Sequence, residues 1–74
     1  MELKVFIEKF AEQFDDTELP ELTAKTKFKE LDEWSSLVAL SVIAMVDEEC
    51  HISMSAMDIR ESDTIEDLYN KIFS

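Results

Sequence analysis

The sequence of 74 residues contains no glycine and a single proline, Pro20. Tight β-hairpin turns need residues with positive φ, a conformation that glycine adopts most readily. The sequence therefore lacks the usual means of joining short strands, and alternating apolar and polar segments are almost absent. Apolar residues recur instead at helical spacing, which predicts an all-α fold.

Helical spacing is clearest at the start of the chain. Apolar residues recur at steps of three and four, and charged residues occupy the other face. This pattern predicts a first amphipathic helix over residues 2–14. Its apolar positions are Leu3, Phe6, Ile7, Phe10 and Phe14.

The next twenty residues, 15–34, break this pattern. They contain an acidic stretch, a Leu-Pro step and scattered apolar side chains, so we interpret them as a long loop pinned onto the core. Loops of about this length are uncommon in compact domains and are usually functional. The apolar residues that would pin the loop are Leu19, Leu22, Phe28 and Leu31.

Ser35 marks the start of a second helix. It precedes a strongly apolar segment and belongs to a residue type that is favoured at helix N-caps. With Ser35 as the N-cap, the segment predicts a helix that starts at Ser36 and runs to about residue 50.

Two further pairs of residues resemble capping boxes. Ser55 lies three residues before Asp58, and Thr64 lies three residues before Asp67. The first pair predicts a short third helix, and the second predicts a last helix over residues 65–73.

These elements predict one domain over residues 1–74. We expect a small antiparallel helical bundle of three main helices plus one short helix, with the long loop between the first and second. A single core of this size rarely supplies more than about 3–5 kcal/mol, so a deep catalytic cleft is not expected. We expect a monomer that is not an enzyme.

Acidic residues dominate the charge. The sequence has 18 acidic and 7 basic residues, a net charge of -11. Residues 30–67 hold eleven of the acids and one base, Arg60. Such a chain repels phosphate backbones and anionic membranes, so we expect neither nucleic acid nor a membrane as partner. Enzymes with basic patches are the expected partners.

Cysteine use and hydropathy indicate a cytoplasmic protein. The single cysteine, Cys50, cannot form an internal disulfide, the sequence starts without a signal-peptide pattern, and the apolar run 42–46 is too short to span a bilayer. Cys50 and His51 are neighbours that point about 100° apart on a helix, so we expect no nucleophile–base pair. The acidic clusters lack a calcium-binding pattern, so we expect no metal site.

The second helix is apolar on nearly every side, because nine of the ten residues 37–46 are apolar. A small bundle cannot bury all of them. We expect the arc of Ala39, Val42, Ile43 and Val46 to face the core. The opposite side, here called the outer stripe, is expected to be exposed and to bind a partner with an apolar groove and a basic rim. The outer stripe consists of Leu37, Leu40, Ser41, Ala44, Asp47 and Glu48.

Three segments together resemble a known family. Residues 28–31 read Phe-Lys-Glu-Leu, residues 34–37 read Trp-Ser-Ser-Leu, and the apolar helix closes with Asp-Glu-Glu at residues 47–49. This order is similar to that of the acyl carrier proteins, whose motif is Asp-Ser-Leu at the start of the second helix. The resemblance covers essentially the whole chain.

The resemblance implies a covalent cofactor. By position, Ser36 matches the serine that a phosphopantetheinyl transferase esterifies with 4′-phosphopantetheine from coenzyme A. The arm would carry an acyl or aminoacyl group as a thioester and present it to loading and acyl-using enzymes, as in fatty acid or polyketide-type biosynthesis. Trp34 and Ser35 beside it would then contact partners, although Trp34 could equally serve as a hydrophobic staple.

The motif departs from the family pattern at two places. Ser35 replaces the aspartate, and Glu33 with Trp34 replaces a glycine that often precedes it. Ser35 can still cap the helix, but the missing carboxylate implies a modifying enzyme and partners unlike those of housekeeping fatty acid synthesis. An unmodified acidic helical adaptor with the carrier fold is therefore the alternative function.

We predict that salt raises the melting temperature. Folding brings the acids of residues 30–67 closer together than the extended chain does, so repulsion lowers stability at low ionic strength. Screening acts over about 10 Å at 0.1 M salt, which matches distances within a small bundle. Melting curves over a range of NaCl concentrations, and with Mg²⁺ at constant ionic strength, measure the effect. A melting temperature that stays flat or falls with NaCl would contradict it.

Overall fold

A computed structural model of the protein describes residues 1–14 and 22–73. Within these ranges the chain forms four α-helices and one short 3₁₀ helix, and it contains no strand. The predicted all-α class, with three main helices and one short helix, is confirmed. The helices are α1 (Leu3–Ala11), the 3₁₀ helix (Phe28–Glu30), α2 (Ser36–Cys50), α3 (Ala56–Arg60) and α4 (Ile65–Phe73).

One hydrophobic core joins these elements. Phenylalanine rings from α1 and the 3₁₀ helix meet aliphatic side chains from the later helices. Helix α1 packs against α2 and α4, and the short α3 contacts the same two helices. The hydrophobic residues with no exposed surface are Phe6, Phe10, Phe28, Val42, Val46, Ile65 and Leu68.

The loop before α2 is held on this core by its apolar residues. Phe28 is fully buried, and Leu22 and Leu31 are half-buried against the core. These three positions agree with the predicted anchoring of the loop. Leu19, the fourth predicted anchor, lies outside the described residues.

The same loop supplies the acceptors for the start of α4. The backbone N–H of Ile65 donates to the carbonyl of Thr26 at 3.2 Å, and that of Glu66 donates to the carbonyl of Ala24 at 3.0 Å. The Lys25 ammonium also bonds the Glu66 carboxylate at 2.7 Å. Amides in the first turn of a helix have no partner within the helix, so the loop satisfies groups that α4 cannot satisfy itself.

Local capping agrees with the sequence at α3 and α4. Ser55 and Asp58 form a reciprocal capping box, with the Ser55 N–H donating to the Asp58 carboxylate at 3.0 Å. The Thr64 N–H donates to the Asp67 carboxylate at 3.1 Å, and the Asp67 N–H donates to the Thr64 hydroxyl at 3.1 Å. The backbone hydrogen bond from Thr64 lowers the pKa of the Asp67 carboxyl. Both predicted caps are confirmed.

Helix α1 is shorter than predicted. It ends at Ala11 rather than at residue 14. The N–H groups of Gln13 and Phe14 bond the carbonyls of Phe10 and Ala11 at 3.1 and 3.2 Å, a three-residue spacing that tightens the last turn. The Gln13 side-chain amide donates a hydrogen bond to the Lys9 carbonyl at 3.0 Å. Apolar periodicity continues to Phe14, but these bonds end the α-helix earlier.

The buried face of α2 is rotated from the predicted one. Val42, Met45 and Val46 are buried, whereas Ala39 and Ile43 are only half-buried. At about 100° per residue, the three buried residues span an arc of about 100°, and Ala39 and Ile43 lie at its edge. Ala39 and Ile43 do pack against the core, as predicted, and the most buried part of α2 also includes Met45.

We predict that Val46→Ala destabilises the protein more than Leu40→Ala. Val46 has no exposed surface, while Leu40 is 63% exposed. Truncating a buried side chain leaves a cavity and usually costs more than about 1 kcal/mol, whereas surface changes usually stay within about 0.5 kcal/mol. Urea unfolding of both variants measures the difference. Greater damage from Leu40→Ala would mean that the two faces of α2 are inverted.

Candidate functional site

The start of α2 is set by the packing of Trp34. Its ring lies 5.0 Å from the Phe28 ring and stacks on Phe10 at a centroid distance of 6.2 Å. The backbone N–H of Trp34 also donates to the Leu31 carbonyl at 3.0 Å. Trp34 is half-buried, so its main contacts are with the core, as expected for an anchoring role next to the cap.

Ser35 caps the helix and leaves Ser36 exposed. The Ser35 hydroxyl accepts a hydrogen bond from the Val38 N–H at 3.2 Å, and its carbonyl accepts one from the Ala39 N–H at 3.0 Å. The predicted cap is therefore confirmed. Ser36 is the first residue of α2, and it is exposed to solvent. Its hydroxyl is accessible beside first-turn amides that lack helical partners.

A pocket of about 410 Å³ opens beside Ser36. This volume falls within the range of about 300–1,000 Å³ that is typical of small-molecule sites. Both Ser35 and Ser36 line it, so the exposed hydroxyl lies at the pocket rather than on open surface. The apolar part of its wall consists of Trp34, Ala39, Ala56 and Ile59.

Two basic residues complete the pocket wall, and the sequence did not indicate them as a pair. They are Lys29 of the 3₁₀ helix and Arg60 at the end of α3. The Lys29 ammonium donates to the Arg60 backbone carbonyl at 2.8 Å, which ties the loop to α3. The only sequence signal was that Arg60 is the single base among residues 30–67.

The outer stripe is exposed as expected, except at Ser41. Leu37 and Leu40 are 72% and 63% exposed, and Ala44, Asp47 and Glu48 are also exposed. From residue 37 to residue 48 the stripe extends about 16 Å along α2, at 1.5 Å per residue. Within the described part of the chain, neither acid of the stripe forms an ion pair.

Ser41 is the least available member of the outer stripe. It is half-buried, and its hydroxyl donates to the Leu37 carbonyl at 3.1 Å. A hydroxyl occupied by its own helix offers little to a partner. On α3, by contrast, Met57 is 54% exposed and adds an apolar side chain that the sequence had not singled out.

Cys50 is the last residue of α2, and His51 follows it as the C-cap. Burial raises the pKa of the Cys50 thiol, which disfavours the thiolate that a nucleophile requires. Its sulfur lies 4.0 Å from the Met1 sulfur. His51 is exposed and ends α2 in the left-handed conformation, with φ of 56°. Among residues 1–14 and 22–73, no three metal-binding side chains are grouped together.

Comparisons with protein-family models, curated proteins and solved structures find no match for this chain. No helix in the described ranges is both long and apolar enough to cross a bilayer.

We predict that Ser35→Ala lowers the free energy of unfolding by about 0.5–2 kcal/mol, because the Val38 N–H loses its acceptor. Ser35→Asp should leave stability nearly unchanged, since aspartate and serine cap helices about equally well. Urea unfolding measures both, with the exposed Ser53→Ala as matched control. Equal stability of Ser35→Ala and Ser53→Ala would show that the cap contributes nothing.

Proposed function

We propose that the protein is a carrier protein that bears 4′-phosphopantetheine on Ser36 and presents an acyl or aminoacyl group to partner enzymes. The observation that carries this proposal is the exposed Ser36 hydroxyl, at the first residue of a 15-residue helix and at the rim of a pocket. An attachment serine needs such access, because a transferase must reach its oxygen.

The site fits a phosphodiester at this position. A phosphate on the Ser36 oxygen would lie beside first-turn amides of α2, which favour negative charge. The pocket wall adds two basic side chains and an apolar area to the surroundings. In the attachment step, the Ser36 oxygen bonds the phosphorus of the 4′-phosphate. The pyrophosphate bond of coenzyme A breaks, adenosine 3′,5′-bisphosphate leaves, and the hydroxyl proton passes to a base of the transferase.

The remaining chemistry belongs to the cofactor and the partner enzymes. Once attached, the arm supplies a thiol that holds cargo as a thioester. This chain positions the arm and provides the surface that partner enzymes recognise. Ser35 fixes the start of α2, and the outer stripe presents apolar side chains next to acids that have no ion-pair partner in the described residues. Partners with a matching apolar groove and basic patches would dock there.

A second function is favoured by one feature of the site. The outer stripe can bind a partner without any arm, and Ser35 stands where the family motif has a carboxylate. An unmodified acidic adaptor would need only the exposed stripe and its acids. Whether phosphopantetheine can be attached to Ser36 distinguishes the carrier function from the adaptor function.

We predict that Ser36 accepts phosphopantetheine. The apo protein is incubated with coenzyme A, Mg²⁺ and several broad-specificity phosphopantetheinyl transferases, and its intact mass is measured. The expected result is a single addition of one phosphopantetheine. Addition should be lost in Ser36→Ala and kept in Ser53→Ala, a change of the same kind at another exposed serine.

Two results would contradict the proposal in different ways. No addition with any transferase, on a protein that is folded by circular dichroism, would favour the adaptor. Addition that persists in Ser36→Ala would move the attachment site to another residue.

A further inference from the structure

The two basic residues of the pocket differ from most of the others in the chain. Four lysines form ion pairs with carboxylates. Lys29 and Arg60 form none with any acid in residues 1–14 or 22–73. In a chain with a net charge of -11, two cations on one pocket wall that have no carboxylate partner among the described residues indicate a site for an external anion. The paired lysines are Lys9, Lys25, Lys27 and Lys71.

The neighbouring acids are engaged elsewhere. Glu30, next to Lys29, contacts Lys27 at 4.0 Å, and Glu61, next to Arg60, bonds Lys71 at 2.8 Å. Asp58 accepts hydrogen bonds from the N–H and the hydroxyl of Ser55 at the start of α3. The carboxylates that are nearest in sequence are therefore held by other groups, which leaves the two basic side chains available.

The position of Lys29 is fixed by the fold. It is half-buried, and one of its three donor positions is used by the Arg60 carbonyl. Two donor positions remain, and the five guanidinium N–H groups of Arg60 have no partner among the described residues. Trp34 and Ile59 on the same wall lower the local dielectric, which strengthens attraction between these cations and an anion.

We propose that Lys29 and Arg60 bind the phosphodiester that joins Ser36 to its arm, so that the first part of the arm lies along the apolar wall of the pocket. This inference rests on the proposed function. A phosphodiester on Ser36 is tethered at the pocket, so its effective concentration there is far higher than that of a free anion. Free carboxylates and phosphates lack this advantage and are repelled by the surrounding acids.

The test compares apo and holo forms of matched variants. Lys29→Gln/Arg60→Gln removes the proposed contacts, and Lys4→Gln/Lys9→Gln removes the same charge from two positions on α1 away from the pocket. Each protein is loaded with phosphopantetheine, and the melting temperatures of its apo and holo forms are compared. The ³¹P chemical shift of the phosphodiester is recorded for the folded protein and in urea.

Loading should raise the melting temperature of the wild type and of the control. The expected rise is about 4–8 °C, the shift that one net hydrogen bond gives in a domain of this size. In Lys29→Gln/Arg60→Gln, loading should leave melting unchanged or lower it, because the phosphodiester then only adds negative charge. The ³¹P shift of the folded wild type should differ from its value in urea, and this difference should vanish in the double variant.

Arg60→Gln alone keeps the proposal testable if the double variant does not fold. In this variant the backbone carbonyl of residue 60 still accepts a hydrogen bond from Lys29, so the protein should fold like the wild type. Loading should then raise its melting temperature by less than it raises that of the wild type. An equal rise on loading in wild type, control and pocket variants would overturn the inference while leaving the carrier function intact. Failure of the wild type to load with any transferase would instead overturn the carrier function and this inference together.

Discussion

The position of Ser36 depends on a triangle of aromatic rings where the loop meets α1. Phe28 and Trp34 precede α2, and both contact Phe10, with centroid distances of 5.3 and 6.2 Å. Aromatic pairs contribute about 0.5–1.5 kcal/mol each beyond the burial of their surface, so the triangle holds the loop firmly. Only Ser35 separates the fixed Trp34 from the first residue of α2. Moving the ring would therefore displace the cap, the attachment serine and the pocket together.

Opposite charges occupy different sides of this serine. The outer stripe presents Asp47 and Glu48 without cation partners, whereas the pocket presents Lys29 and Arg60 without carboxylate partners in the described residues. This separation gives one surface suited to basic proteins and a second suited to an anion, and both are compatible with the carrier function proposed for the chain.

The features that could be predicted from the sequence are those set by near neighbours. The caps at Ser35 and Thr64 depend on groups three residues away, so their residue types were sufficient. The end of α1 was not predictable, because the apolar periodicity continues to Phe14. The three-residue hydrogen bonds that end the α-helix at Ala11 leave no sign in that pattern. The hydrogen bond from the Lys29 ammonium to the Arg60 carbonyl joins residues that are far apart in sequence. Packing brings them together, and no local pattern encodes this contact.

The hydrogen bonds between the loop and α4 connect two distant parts of the chain. The carbonyls of Ala24 and Thr26 accept from the first amides of α4, so opening the loop leaves those amides without acceptors. Segments that share such bonds tend to open as one cooperative unit. Lys29 follows in the same loop and lines the pocket. We therefore expect local opening at the start of α4 to loosen the pocket wall as well.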